Sequence, residues 1–357
     1  MPGPPRRPRT VHLDLERGWR GGERQVELLV RELSALGWEQ VVVGRRGGPL
    51  LERLRGRAEI LAAAGRLEAL RRLRGLAGPK IVHAHTGNTV PLAVLGRGRG
   101  DVALATRRLD RPASRFWLAR LDRVVAISRS VERSLLSIGL DPGRVERIPS
   151  AIDGRRALDP ALRAALRGRL GLGEGERLGL TIGALEPQKD PLTLCRALAL
   201  ADPRHHHAWV GAGSLLARAR ELARERGVAG RLHLPGFDAD PDKWFAAADV
   251  FVLPSVHEGL GTVLLDAFHF GVPVVASSIP GSGELVEHEV TALLFAPGDA
   301  AGLAACLAEV ARDAPGARAR VAEAHRRVLA YDIRATAACY ARLYEELAAA
   351  RALADRS

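Results

Sequence analysis

Two acidic side chains bracket a glycine turn in the stretch VHEGLGTVLLDAFHFGVPVVAS. Glu258 precedes Gly259, Leu260, Gly261 and Thr262, and Asp266 follows after a spacer of seven residues. A turn that opens a helix presents unpaired N–H groups and a partial positive charge, which suits an anion. Carboxylates on either side of it can accept hydroxyl protons. Lys189, a few residues past the apolar run RLGLTIGAL, adds a cation. The glycines of WVGAGS, Gly211 among them, stand where a backbone must come close to something. Together these residue types suit a phosphorylated, hydroxyl-rich ligand. Singly they are common: GxG recurs in unrelated chains, and an acid on a helix usually faces solvent.

The organisation of the chain is what joins them. TVHLDL (10–15), EQVVVG (39–44), KIVHAHT (80–86), DVALATR (101–107) and LDRVVAIS (121–128) are strand-like. Helix-like stretches lie among them: QVELLVRELSALG, LEALRRLRGLAG (67–78) and then SRSVERSLLSIG. VERIPSAID (145–153) ends this half, and an arginine-rich helical segment (155–170) leads to a glycine-rich connector (171–176). The pattern then restarts with RLGLTIGAL, HHAWVGAG, RLHLPGF, DVFVLPS and TALLFAPGD, again with helices between. Alternation of this kind specifies an α/β chain with parallel sheets covered on both faces, and two runs specify two doubly wound, Rossmann-like domains. The expected division is 1–165, 166–335 and a last helix, 336–357, packing back toward the first domain. Such sheets bind ligands beyond the carboxyl ends of their strands, so the loops carrying Lys189, Gly211 and Glu258 are expected at one edge.

Composition narrows the rest. The chain has 357 residues, 47% of them hydrophobic, enough for sizeable cores. There is no uncharged apolar run of about 18 residues to cross a membrane. The basic, proline-rich start MPGPPRRPRT lacks the apolar stretch of a secretory signal. Cys195, Cys306 and Cys339 are scattered, with neither a disulfide framework nor a metal spacing, and a reducing cytoplasm fits best. The net charge of +12 is uneven: residues 1–160 carry 31 basic and 17 acidic side chains, the remainder 22 and 24. A basic first half suits a phosphorylated substrate or an anionic membrane surface, the latter through Arg71, Arg72 and Arg74 beside leucines. The alternatives are a solvated crossover helix and the arginine bias of GC-rich coding. Aromatic residues are only 4%, too few to interleave with arginines for stacking on nucleic acid.

The stretch DVFVLPSVHEGLGTVLLDAFHFGVPVVASSIPGSGELV resembles the signature of the retaining glycosyltransferases of family 4, the group 1 glycosyltransferases, where a Glu-x7-Glu pair sits in a similar frame. GALEPQKDPLTLCRAL, VGAGSLL and LHLPGF resemble further segments of that family. So do WRGGERQVELLVREL and VVAISRSVERSLLSIGLDPGRVERIPSAID, and the likeness runs from about residue 10 to 350. It implies the GT-B architecture, two Rossmann-like domains facing each other across a cleft. A nucleoside-diphosphate sugar would be held mainly by the second domain, and a saccharide or lipid-linked acceptor by the first. Carried over by position, Lys189 would neutralise the leaving diphosphate and Glu258 would meet the transferred sugar. Backbone at Gly259, Leu260, Gly261 and Thr262 would hold sugar hydroxyls and phosphate, with Gly211 in a neighbouring donor loop. Asp266 would bind the ribose hydroxyls. Gly21 and Gly22 would let the first domain close on the diphosphate.

The same resemblance implies a retaining, front-face substitution in which the leaving diphosphate takes the acceptor proton. It implies no metal or other cofactor, with the nucleotide sugar as co-substrate. The setting would be cell-envelope polysaccharide or glycolipid synthesis, in the cytoplasm or peripherally on the inner face of the plasma membrane. Two positions depart from the pattern: the second acid is Asp266, and the family's phosphate arginine is Ala184. Arg107 and Arg108 follow ALAT, where relatives often carry a histidine, and one of them, or Arg20, is expected to supply the missing charge. His83 and His85, two apart on one strand, point to the same side; His85 contacts donor or acceptor, unless both are satisfied core histidines. Asp238-x-Asp240 reads as helix entry rather than a metal motif, with Asp240 as N-cap and Pro241 at the first helical position. His205, His206 and His207 read as loop residues before a strand. The rivals are a GT-B enzyme of other chemistry, such as an epimerase or a phosphorylase served by Lys80, Lys189 or Lys243, and a decayed basic binding protein.

Overall fold

The computed structural model describes residues 7–109 and 113–355; residues 1–6, most of the basic start considered above, lie outside them. The chain divides into two compact units, Met1–Asp153 with Tyr331–Ser357, and Gly154–Ala330. Among the described residues no helix is long and apolar enough to cross a membrane.

Unit 1 is built on seven parallel strands: β1 (Arg9–Asp14), β2 (Gln40–Arg45), β3 (Glu59–Ala63), β4 (Lys80–Ala84), β5 (Val102–Arg107), β6 (Arg123–Ala126) and β7 (Val145–Arg147). Their order is β3-β2-β1-β4-β5-β6-β7. Side chains alternate along β1, so Thr10, His12 and Asp14 share one face. Register sets His12 against His83 and Leu13 against Ala84. That face is covered by Leu29 and Leu33 of the helix Gly21–Ala35 and by Tyr340, Leu343, Tyr344 and Leu347 of the helix Ile333–Ala354, in one buried cluster with Ile81 and Leu104. On the same face, toward β2, Val26 and Val30 of the first of these helices form a second cluster with Val42, the register partner of His12, and Leu50. Gly21 and Gly22, which precede the helix-like stretch QVELLVRELSALG, are the first two residues of the helix itself. A first turn lacks intrahelical N–H partners in any case, and the Arg20 N–H closes it by donating to Glu23 Oε2 at 2.7 Å. Strand β3, on the sheet edge and half-buried, has no counterpart in the sequence reading.

Unit 2 carries six parallel strands: β8 (Arg177–Ile182), β9 (His205–Val210), β10 (Leu232–Gly236), β11 (Val250–Leu253), β12 (Val274–Ser277) and β13 (Leu293–Phe295), in the order β10-β9-β8-β11-β12-β13. Helices Pro191–Leu200, Leu216–Glu225 and Ala300–Arg312 enclose its main core with Trp209, Val252 and Val275. His205, His206 and His207 do not form a loop. They are the first three residues of β9, in register with Arg177, Leu178 and Gly179, and their alternate burial is that of a strand.

The division of the chain also differs from the expected one. Residue 165 falls inside the helix Ala161–Arg169, which belongs wholly to unit 2. Its Arg163 and Arg167 donate to the two carboxylate oxygens of Asp249, at 2.6 and 2.9 Å. At the other end the chain rejoins unit 1 at Tyr331 rather than 336, through the backbone bond from Ile152 N–H to Tyr331 O.

Candidate active site

In unit 2 the strand order reverses between β8 and β11, and in open α/β sheets the crevice beyond such a reversal is the ligand position. Lys189 follows β8 and Glu258 follows β11. The two loops are bonded together: Val256 N–H donates to Gln188 O at 2.9 Å, and Lys189 Nζ is ion-paired with Glu258 Oε1. Both side chains are largely buried, at 15% and 12% exposure, so the pair is shielded rather than solvated. Ser255 Oγ donates to the same carboxylate oxygen at 2.7 Å and is itself held by Ser277 at the end of β12, whose Oγ donates to Ser255 O. Gly281 closes the site from behind, because a Cβ there would lie 1.7 Å from Glu258 O.

The remaining expected donor residues are placed as follows. Gly259, Leu260 and Gly261 are buried in the turn, and Thr262 is the N-cap of the helix Val263–His269. Asp266, one turn into that helix, is 4% exposed, not on a solvated face. Gly211 does need its bare backbone, but the neighbour is protein: a Cβ would stand 2.0 Å from Gly183 O, in the loop that leads to Lys189. Asp238 is taken up by Lys243 Nζ at 2.8 Å and Trp244 Nε1 at 3.0 Å, and Asp240 by Arg156. Asp240 holds the N-cap position of a 3-10 helix that starts at Pro241, but its side chain makes no capping bond. A cavity of about 570 Å³ lined by Arg177, Asp249, Pro273 and His325 opens at the opposite edge, beside the starts of β8, β11 and β12, and belongs to a different region of the unit.

Gly21, Gly22, His85 and Arg108 belong to unit 1, where they form a second group. There the order reverses between β1 and β4, with Asp14 the last residue of β1, the helix start at Gly21–Gly22 beyond it, and His85 directly after β4. Gly22 faces Arg108, whose Cδ would be 3.7 Å from a Cβ. Arg108 Nη1 donates to Ser150 Oγ at 3.3 Å, and its charge lies near Asp14 and Glu23. His85 is 3% exposed, with its ring centroid 3.9 Å from that of His83 and the two rings tilted by 36°. Burial holds both rings well below the ordinary imidazole range, and His12 down to about 4, so all three are neutral. His83 is satisfied on both nitrogens, by Tyr344 Oη at 2.6 Å and Thr106 Oγ1 at 2.8 Å. His12, Asp14, Ser255 and Gly281 were missed from sequence. The available signals were polar residues alternating inside the buried strand TVHLDL, and a hydroxyl three residues before Glu258.

Residues 163–328 match the family Glycosyl transferases group 1, and residues 19–156 match Glycosyltransferase Family 4. The chain belongs to the group 1 (family 4) glycosyltransferases. Within this family, a D-inositol 3-phosphate glycosyltransferase of Thermobispora bispora is 34% identical over 240 residues, covering 63% of this chain and 56% of that protein. A GDP-mannose-dependent alpha-(1-6)-phosphatidylinositol monomannoside mannosyltransferase of Mycobacterium tuberculosis is 34% identical over 236 residues, covering 58% and 61%. The chain thus matches somewhat over half the length of these curated relatives. Among solved structures, Anabaena Alr3699/HepE in complex with UDP and glucose superimposes with a TM-score of 0.84 at 19% identity, over 94% of this chain and 99% of that one. WaaG, a glycosyltransferase involved in lipopolysaccharide biosynthesis, gives 0.73 at 16%, over 94% and 99%. The fold is that of the GT-B glycosyltransferases.

Proposed function

We propose that the chain is a retaining glycosyltransferase that moves a sugar from a nucleoside-diphosphate sugar to a hydroxyl acceptor. The observation that carries this reading is the shielded Lys189–Glu258 pair at the strand-order reversal of unit 2. When the donor binds, the Lys189 ammonium turns to the diphosphate and stabilises its growing charge as the glycosidic bond breaks. One such group contributes on the order of 10²–10³ in rate. Glu258, steadied by Ser255, then accepts from hydroxyls of the transferred sugar. The amides of Gly259–Thr262 hold sugar and phosphate oxygens, and Asp266 takes the ribose hydroxyls. The diphosphate oxygen released by bond cleavage receives the acceptor proton, so no side-chain nucleophile is required. The reading is metal-independent: Lys189 balances the leaving group, and the two aspartates of the Asp-x-Asp match are already committed to Lys243, Trp244 and Arg156.

Unit 1 takes the acceptor in this reading, a saccharide or a lipid-linked polyol of the cell envelope. The relatives that act on inositol phosphates and phosphatidylinositol mannosides support that class. Leu67 and Arg66, Arg71, Arg72 and Arg74 are exposed on the helix Arg66–Arg74, a surface suited to peripheral contact with anionic lipid from the cytoplasmic side. Titration calorimetry with UDP and GDP, followed by a screen of nucleotide sugars for slow donor hydrolysis, tests the proposal. Micromolar binding of one nucleotide, lost in Lys189→Ala, is the expected outcome. Absence of binding to any nucleoside diphosphate overturns it and leaves the chain a decayed member of its family.

A further inference from the structure

Unit 2 has a second concave region, the cavity of about 570 Å³ beside the starts of β8, β11 and β12. That volume is in the range of small-molecule sites, which combine apolar walls with a few polar groups. One side is the helix Ala314–Val328, which packs on the helices Val263–His269 and Ala300–Arg312. It lines the cavity with Ala314, Ala317 and Ala322, whose single methyl groups leave open the space that longer side chains would fill. Pro273, Val310 and Val321 complete an apolar wall.

The polar side chains of the lining are Asp249, Arg177, Arg318 and His325. Asp249 is already spent. Its oxygens accept from Arg163 at 2.6 Å, from Arg167 at 2.9 Å and from the Leu178 N–H at 2.7 Å. The nearby acids of the two helices are engaged as well. Glu309 and Asp313 each face Arg320 at 3.8 Å, and Glu323 is ion-paired with Arg326 and Arg327. The cations are not balanced in the same way. Arg177 donates one N–H to Ala311 O at 2.9 Å, and a guanidinium has five. Arg318 is exposed and has no hydrogen bond or ion pair among the described residues. His325 is held by its Nδ1–H on Phe268 O at 3.3 Å. Two arginines with N–H groups to spare therefore stand beside an apolar wall, and no uncommitted carboxylate among the described lining residues opposes them.

We propose that this cavity is a binding site for an amphiphilic carboxylate, a small molecule with one carboxylate on an aliphatic body. The body lies against Pro273, Val310 and Val321, and the carboxylate accepts from Arg177 and Arg318. A bare inorganic anion would leave the apolar wall wet, and a neutral chain would leave the arginines without a counter-charge. The two features together select a ligand that carries both. Lys189 and Glu258 follow the far ends of β8 and β11, so the site is separate from the candidate active site and does not rest on the transferase reading.

Octanoate, kept below its micelle concentration, is the probe. Proton–carbon correlation spectra of the full chain, labelled in its valine methyls, report on Val310 and Val321, and titration calorimetry gives the affinity. Octanoate should shift both valines saturably. Arg318→Ala should weaken binding by about tenfold, the loss of one hydrogen bond to a charged group. Ala322→Trp, which fills the space with an indole, should abolish the shifts. Both substitutions are at exposed positions. Octanol and acetate, each with one half of the chemistry, should bind at least about tenfold more weakly than octanoate. Unmoved valine methyls overturn the proposal. So does an octanoate affinity that either variant leaves unchanged, or octanol binding as tightly as octanoate. None of these readouts involves a nucleotide, so failure of this site is distinguishable from failure of the transferase reading.

Discussion

Burial, reinforced by the neighbouring Glu23, pushes the Asp14 carboxyl up from its ordinary 3.8 to about 7. An acid with a raised value in the folded state holds its proton there more tightly than in the unfolded chain. Between about pH 4 and pH 7 the native state therefore binds more protons, and stability falls as pH rises through that window. The loss amounts to a few kcal/mol, at about 1.4 kcal/mol per pH unit. Asp14→Asn should flatten the slope and raise the urea midpoint above pH 7. An unchanged slope in the variant would place the titration elsewhere. Glu258 and Lys189 were legible in the sequence because a glycine turn and a strand end announce them. Asp14 and Ser255 were not, because their significance depends on which strands are neighbours, and that order is a property of the whole sheet. The place of Gly211 was legible, but what it approaches was not: a close backbone contact looks the same in sequence whether the neighbour is ligand or protein.

At the scale of elements, the helix Ile333–Ala354 seals the polar interior of unit 1. Tyr344 Oη meets His83 Nδ1, and Tyr340 Oη meets Thr106 Oγ1 at 2.8 Å. Tyr344→Phe leaves a buried imidazole nitrogen unpaired and should cost about 1–3 kcal/mol. Tyr340→Phe should cost less, since Thr106 keeps His83 as a partner. Denaturant unfolding of both variants checks the order, and a larger loss for Tyr340→Phe would refute it. Most strands were readable from apolar runs at regular spacing. β3 was not, because EILAA lies on an edge, is only half-buried and shows no clear alternation. The helix containing Gly21 and Gly22 was shortened in the reading because glycine disfavours helix interiors, a cost that matters less in a first turn with its own capping contact.

At the scale of the molecule, unit 2 is one continuous piece of chain, while unit 1 is assembled from two. A fragment of residues 154–330 should fold alone with a cooperative thermal transition and keep the Lys189–Glu258 region intact. Residues 1–153 alone should not. Without the helix Ile333–Ala354, the face bearing Leu29, Leu33, Ile81 and Leu104 is bare. Circular dichroism melts of the two fragments test this, and a cooperative transition in 1–153 would contradict it. Two α/β domains were legible from the repeated alternation, but their boundaries were not. Arg163 and Arg167 commit their helix to Asp249, a partner more than 80 residues away that no local pattern reveals.

The split of unit 1 has a consequence for how the chain is made. Its seven strands leave the ribosome before Tyr340 and Tyr344 have been added. At about 5–20 residues per second, the intervening stretch takes roughly 10–35 s to translate. Throughout that interval the nascent sheet has one greasy flank without its lid, and by its close unit 2 has everything it requires. The later-born half should therefore be the first to reach its final form, and the earlier-born half is the one with reason to engage a chaperone.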